Sequence, residues 1–309
     1  MADAARNDDD RRSGRRLDVA SVDASLRRIA HAVEPPWLHA EVARRLGERL
    51  APIRTQPRRI LDWWAGIGGG DAVLRSAYPR ADIVAVERDP ASAALLASRR
   101  PRPWWSLARI KGERPALSAS ASDSELGRCQ LVWANMVLQF VADPPALFER
   151  WHRLLEVEGL AVFSCLGPAS LRELRELYAA AGWPSPAPEF IDMHDLGDMM
   201  VEAGFADPVL DQETLTLRWK SGEALLAELR QLGGNAAPDR FAGLRTPSWR
   251  RRLLSGLAER ADADGSIGLS VEVAYGHGFK TGPRLRPGEP VAVPLDDMRA
   301  MVRRPRPGS

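Results

Sequence analysis

The stretch ILDWWAGIGGG, residues 60–70, sets an apolar strand directly against a glycine-rich turn. Glycine has no Cβ and accepts positive φ at no steric cost, so such a turn lets backbone pass close to a ligand. The segments beyond the turn constrain the fold. DAVLRSAYP reads as a helix stopped by Pro79, DIVAVE as a buried strand, and DPASAALLASRR as a helix with Asp89 as N-cap and Pro90 at its first position. QLVWANMVLQF opens as a strand, DPPALFERWHRLLEVEG is a helix capped by Asp143, LAVFSCLG is an apolar strand and PASLRELRELYAAAG a helix. Apolar strands alternating with helices specify a doubly wound, mostly parallel α/β sheet covered on both faces.

Helical periodicity also marks LRRIAHAV and LHAEVARRLGERLAPI ahead of the first strand. Behind the last apolar strand come the helix HDLGDMMVEAG, the alternating strand PVLDQETLTLRW, and the helices SGEALLAELRQLG and SWRRRLLSGLAERA. The final element, GLSVEVAYGHGF, is a strand suited to be an antiparallel partner in the sheet. Residues 1–16 are charged and aperiodic and read as a disordered segment, whereas residues 281–309 are rich in Pro, Gly and Arg and read as a loose extension. The folded body is then residues 17–280, a single domain.

A formal net charge of +2 over 309 residues gives no argument for a nucleic-acid partner. Cys129 and Cys165 lie far apart in apolar surroundings, which fits buried thiols in a reducing compartment and supplies neither a metal site nor a disulfide framework. The N-terminus has no apolar core of a secretory signal, and no apolar run approaches membrane-spanning length. The expectation is a cytoplasmic protein without membrane contact or metal.

In a doubly wound sheet the ligand lies beyond the carboxyl ends of the strands, where the strand order reverses. Gly66, Gly68, Gly69 and Gly70 give the close backbone approach there. Glu87, ending the second strand 19 residues after Gly68, can accept hydrogen bonds from both hydroxyls of a ribose. Asp62, near the end of the first strand, can orient the turn or meet a cationic ligand. Asn135 and Gln139 fall at the carboxyl end of the fourth strand, either lining a ligand or capping local backbone. A glycine turn followed by an acid is common to dinucleotide and S-adenosylmethionine sites and does not separate them.

The turn resembles the first motif of class I S-adenosylmethionine-dependent methyltransferases, D-x-G-x-G-x-G. Asp62, Gly66 and Gly68 match it, and Trp64 stands at its first glycine. A left-handed backbone there costs a residue with a Cβ roughly 1–2 kcal/mol. The region LVWANMVLQFVADPPALFERWHRLLEVEGLAVFSCLGPASLRELRELY is similar to malonyl-acyl-carrier-protein O-methyltransferases of biotin synthesis. Trp133, Asn135, Leu138, Gln139, Asp143, Gly159, Phe163, Leu171, Glu173 and Leu174 carry that resemblance, which extends over roughly residues 22–280. Phe140 replaces a usual Trp, Gln130 a usual Asp, and no acid stands near Ser118, Asp123 being the nearest.

The resemblance implies a seven-stranded sheet, S-adenosylmethionine as cofactor, and a malonyl thioester on an acyl carrier protein as acceptor. Asp62, Gly66, Gly68, Glu87, Asn135 and Gln139 would then hold the cofactor. The acceptor's carboxylate is ionised at neutral pH and needs no strong base, only a cation to hold it. Arg172 and Arg175 are candidates for that cation, against the plainer alternative of helix-face charges pairing with Glu173 or Glu176. Adjacent arginines at Arg27–Arg28 and Arg250–Arg252 could meet an acidic carrier. His194 and His277 read as structural, and the tryptophan pair Trp63–Trp64 as core. Two alternatives stay open: a methyltransferase fold that has lost its cofactor and serves in binding or assembly, and an enzyme of this fold acting on another acceptor.

Overall fold

The computed structural model describes residues 16–32, 34–99 and 116–282. The segment expected to be disordered and the C-terminal extension fall almost entirely outside the described residues, as do Trp104 and Trp105. Two amphipathic helices lead, α1 (Val19–His31) and α2 (Trp37–Leu50). The central unit is β1 (Arg59–Trp63), the short turn α3 (Ala65–Gly68), α4 (Asp71–Ala77), β2 (Asp82–Glu87), α5 (Pro90–Arg99) and β3 (Leu117–Ser118). Then come α6 (Asp123–Leu126), β4 (Cys129–Ala134), α7 (Pro144–Leu154), β5 (Leu155–Leu166), α8 (Arg172–Ala180) and α9 (Met193–Glu202). The chain closes with β6 (Phe205–Trp219), α10 (Gly222–Gln231), α11 (Pro247–Ala258) and β7 (Ile267–Lys280).

These seven strands form one sheet in the order β3-β2-β1-β4-β5-β7-β6. β1 pairs in parallel with β2 (Leu61 opposite Val84) and with β4 (Leu61 opposite Val132), and β4 pairs in parallel with β5. The closing strand β7 is antiparallel to both β5 and β6, slotted between them. β7 is buried along most of its length, while the edge strand β6 alternates between half-buried and exposed residues, the polar-out pattern that its sequence showed.

Strand alternation sorts the side chains into two cores. From β1 and β4, Ile60, Leu131 and Trp133 join Leu38, Val42, Leu46 and Leu74 on the α2–α4 face. Leu61, Trp63, Val132 and Ala134 point the other way, toward α1, α7 and α9. On that face Trp63 meets Trp151 edge-on at 6.1 Å between ring centroids, and Phe148 bridges Trp151 and Phe163. Burying each such ring stabilises the fold by roughly 1.5–3 kcal/mol. A third apolar cluster, built from α8, α10, α11 and the adjoining ends of β6 and β7, stands beyond the strand ends; Leu174, Leu225 and Leu253 lie within it. It forms a cap on the part of the β6–β7 pair that runs past the end of β5.

Candidate active site

The glycine turn starts at Trp64, which adopts φ 55° and ψ 49°, fully left-handed. Its carbonyl accepts from Ile67 and Gly68 N–H at 3.0 and 3.1 Å, and its own N–H donates to Val86 O, so β1 passes straight into one tight turn. The indole is buried among the α1-side apolar residues, which offsets the backbone cost. Trp63 and Trp64 are therefore both core side chains.

Crowding favours glycine at three positions here, most strongly at Gly70, where a Cβ would overlap the Trp133 indole nitrogen. A Cβ on Gly66 would stand 3.1 Å from Glu87 Oε1, and one on Gly68 3.2 Å from the Asn135 carbonyl oxygen. Glu87 is buried at the end of β2, and its Oε1 accepts from Gly66 N–H at 2.6 Å. The carboxylate and the turn are thus assembled against each other before any ligand arrives. Asp62, one residue short of the β1 end, is buried beneath them.

Asn135 is the bolt of the site. Its Nδ2 donates to the carbonyls of Gly68, at 2.5 Å, and His39, at 2.8 Å, and its Oδ1 accepts from Ser164 Oγ at 2.7 Å. One side chain therefore ties the glycine turn to the start of α2 and to β5. Gln139 turns its Nε2 onto the Met136 carbonyl at 2.9 Å and lines a cavity next to the turn. Of the two readings left open by sequence, backbone tethering is what the hydrogen bonds of Asn135 show.

That cavity has a volume of 340 Å³ and runs from the ends of β4 and β5 outward beneath the cap. Its walls are largely apolar, with Phe140, Leu171, Leu174, Phe190 and Leu229 among them. Arg28 and Arg230, both exposed, stand at its mouth. Arg172 and Arg175 do not line it. Arg172 is 64% exposed and faces Glu173 at 3.6 Å, the helix-face pairing that sequence alone offered as the plainer alternative. Arg175 is half-buried and donates to the carbonyls of Ser170, Ala187 and Pro188 and to Ser185 Oγ, with Pro188 nearest at 2.7 Å. Burial pushes its pKa down, with Glu189 acting the other way. It pins residues 185–188, a stretch that forms part of the cavity wall.

Asp123, the first acid after Ser118 in the sequence, is engaged by Arg150 and Arg153, each at 3.1 Å. Those ion pairs hold its carboxyl below the usual range although its own partial burial acts the other way. Gln130 accepts from the N–H groups of Arg58 and Arg59, fixing the start of β1. His194 caps nothing but has its own N–H taken by Asp192, and His277 lies within β7.

One site residue went unread in the sequence. His39 is 1% exposed and its Nδ1 lies 2.7 Å from the Ile67 carbonyl, which can only accept, so Nδ1 carries the proton. Burial lowers its pKa to about 4, against the opposing effect of that carbonyl, so the ring is neutral at pH 7. The available signal was positional: His39 falls on the same helical stripe as Val42, Ala43 and Leu46, where a polar side chain must find a partner.

A methyltransferase-domain family model matches residues 36–208, which contain β1 to β5 and the whole glycine turn. A Gallionella capsiferriformans protein named malonyl-[acyl-carrier protein] O-methyltransferase is 38% identical over 253 residues, covering 80% of this chain and 86% of that protein. A Laribacter hongkongensis protein of the same name is 36% identical over 292 residues, covering 92% and 95%. This chain belongs to the malonyl-acyl-carrier-protein O-methyltransferase family. Among solved structures, the YcgJ protein of Bacillus subtilis overlaps 77% of this chain and 98% of its own at 12% identity, with a TM-score of 0.48. The matched stretch contains the glycine turn with Trp64 at its head, Glu87 and Asn135.

Proposed function

We propose that the protein transfers a methyl group from S-adenosylmethionine to the free carboxylate of a malonyl thioester carried on an acyl carrier protein, a step of biotin synthesis in the cytoplasm. The observation that carries this reading is the apolar cavity that begins beside Gln139 and the Asn135-tethered glycine turn and ends at two arginines. A long flexible arm can enter by that mouth and deliver its end to the strand termini.

The residues present fit the cofactor. The missing Cβ atoms of Gly66 and Gly68 let Glu87 and Asn135 close against the turn, and Glu87 is a buried acceptor at the end of β2, where a ribose would be held. Asp62 lies beneath the turn, Asn135 holds its Gly68 end, and Gln139 marks the boundary with the acceptor cavity. When bound, S-adenosylmethionine supplies an electrophilic methyl group, which a carboxylate oxygen takes as the S–C bond breaks and its electron pair passes to sulfur. The chain's part is to align and to exclude water, because the nucleophile is already ionised and effective molarity supplies most of the acceleration.

Arg28 donates to the carbonyls of Gly233 and Arg230, which holds it at the mouth, and Arg27 lies beside it on α1. These cations suit the phosphate of a carrier's prosthetic arm and the acidic surface around it. Incubation of the purified protein with malonyl-acyl carrier protein and methyl-labelled S-adenosylmethionine tests the reading. Label on the carrier as a base-labile ester supports it; label-free carrier beside a properly folded protein overturns it. Rescue of a biotin-requiring strain that lacks this methyltransferase tests the cellular role.

A further inference from the structure

On the acceptor reading above, an anion reaches the end of the cavity beside α2 and β4, where no permanent cation stands among the described lining residues. Among the described residues lining it, the arginines are Arg28 and Arg230 at the mouth, and Arg175 is committed to the wall behind. The inner end is formed by Leu38, His39, Met136 and Gln139. Of these four, only His39 can become positive.

Its geometry leaves one atom for that task. Nδ1–H is spent on the Ile67 carbonyl, while Nε2 has no hydrogen-bond partner among the described residues, on a ring that borders the cavity. As a neutral ring, Nε2 offers only a lone pair, which repels a carboxylate. As an imidazolium, it offers an N–H to one carboxylate oxygen and leaves the other free to attack.

We infer that His39 receives the acceptor's carboxylate by taking up a proton as the acceptor binds, and gives the proton back to solvent once the carboxylate has become a neutral ester. This rests on the acceptor reading given above. A positioning role results: the proton on Nε2 decides which oxygen of the carboxylate is left to react.

The surroundings are consistent in sign. Burial by itself disfavours the charged ring through desolvation, and a carboxylate in contact with it at low effective dielectric reverses that preference. The other charged and titratable groups around the same cavity are Arg28 on α1, Arg230 on α10 and Tyr178 on α8, and both arginines act against a second cation. The glycine turn α3 and the segment 135–139 carry no ionisable side chain. The cofactor's sulfonium also disfavours the imidazolium, so the proton arrives with the acceptor and not before it. The carboxylates on adjoining segments are Asp62 on β1, Glu87, which accepts from Gly66 N–H, and Glu272, which accepts from Ala169 N–H; proton uptake by any of them would persist in His39→Gln.

The test is calorimetric titration of malonyl-pantetheine into the protein's complex with S-adenosylhomocysteine, at pH 7.5 in buffers of differing ionisation enthalpy. The wild type is expected to take up close to one proton. His39→Gln, whose amide donates a hydrogen bond without needing a proton, is expected to take up none and to bind within about threefold of wild type. His39→Asn keeps a donor for Ile67 but leaves the cavity side bare, and is expected to bind at least about tenfold more weakly while unfolding at a similar temperature. Because the free ring is neutral, kcat/KM of the wild type should fall about tenfold per pH unit across the neutral range, whereas that of His39→Gln stays flat. Binding without proton uptake, or uptake that persists in His39→Gln, overturns the assignment alone. Absence of binding by all three folded proteins overturns the acceptor reading together with it.

Discussion

Asn135 and Gly68 are joined by a 2.5 Å hydrogen bond from the side-chain amide to the turn carbonyl, so the end of β4 dictates the shape of the loop after β1. The two segments are far apart in sequence and adjacent only because β1 and β4 pair in the sheet. Replacing Asn135 by Ala strands the carbonyls of Gly68 and His39 in a buried site and leaves the Ser164 hydroxyl with only the Met136 N–H to accept from. The expected cost is roughly 2–4 kcal/mol of stability, with loss of S-adenosylhomocysteine affinity. Urea unfolding and calorimetry measure the two; a variant as stable as wild type would refute the tether.

Gly66→Ala places a Cβ against Glu87 Oε1 at 3.1 Å and pushes the carboxylate off its position. The fold should persist, because the clash is with a side-chain end, while affinity for the nucleoside falls by about tenfold or more, equivalent to about 1.4 kcal/mol. Glu87→Gln keeps the shape but weakens the acceptor, and its effect should be smaller than that of Glu87→Ala. Equal affinities in all three variants would separate this carboxylate from the ligand.

At Trp64 two terms compete. Glycine relieves a left-handed conformation worth roughly 1–2 kcal/mol, but removing a buried tryptophan side chain costs roughly 3–5 kcal/mol. The packing term is larger, so Trp64→Gly should be about 2 kcal/mol less stable by urea unfolding. Nucleoside binding should change by no more than about threefold, since the turn keeps its form. A stabilised Trp64→Gly would mean that the indole contributes little to the core.

Stability should depend on pH through His39. Its folded-state pKa, about 4, lies below the ordinary value of 6.5, so the unfolded chain binds a proton that the native one refuses. Native stability therefore declines as pH falls from 6.5 toward 4, at up to about 1.4 kcal/mol per unit from this residue. Above pH 6.5 the contribution is level. His39→Asn should remove that portion of the slope in chemical denaturation at pH 4.5–7.5; an unchanged slope would assign it to other groups.

The two arginines of α8 should behave differently. Arg172→Ala removes an exposed side chain and should leave stability and KM nearly unchanged. Arg175→Ala frees residues 185–188 from a partly buried clamp on the cavity wall, and should raise KM for the acceptor more than it lowers kcat. Steady-state kinetics with the carrier-bound acceptor distinguishes them.

Much of this was open to inspection in the one-dimensional chain. Alternating apolar strands and helices imply the doubly wound sheet whatever the details of packing, because parallel strands buried on both faces must be apolar throughout. The spacing from Asp62 through Gly66 and Gly68 to Glu87 was legible because β1 and β2 are adjacent and parallel, so residues at consecutive strand ends meet. Chain order also showed β7 as a strand, though its place between β5 and β6 is a matter of tertiary pairing.

What only the folded molecule decided are relationships between distant residues. Asn135 became a tether because Gly68, His39 and Ser164 converge on it from three elements. Arg172 and Arg175 are near neighbours in sequence, yet rotation around α8 sends one to solvent and the other into a loop. His39 was silent in the sequence because a lone histidine acquires chemical meaning only from what meets each ring nitrogen. Here one nitrogen meets a carbonyl and the other is left facing a cavity, and no local pattern encodes that difference.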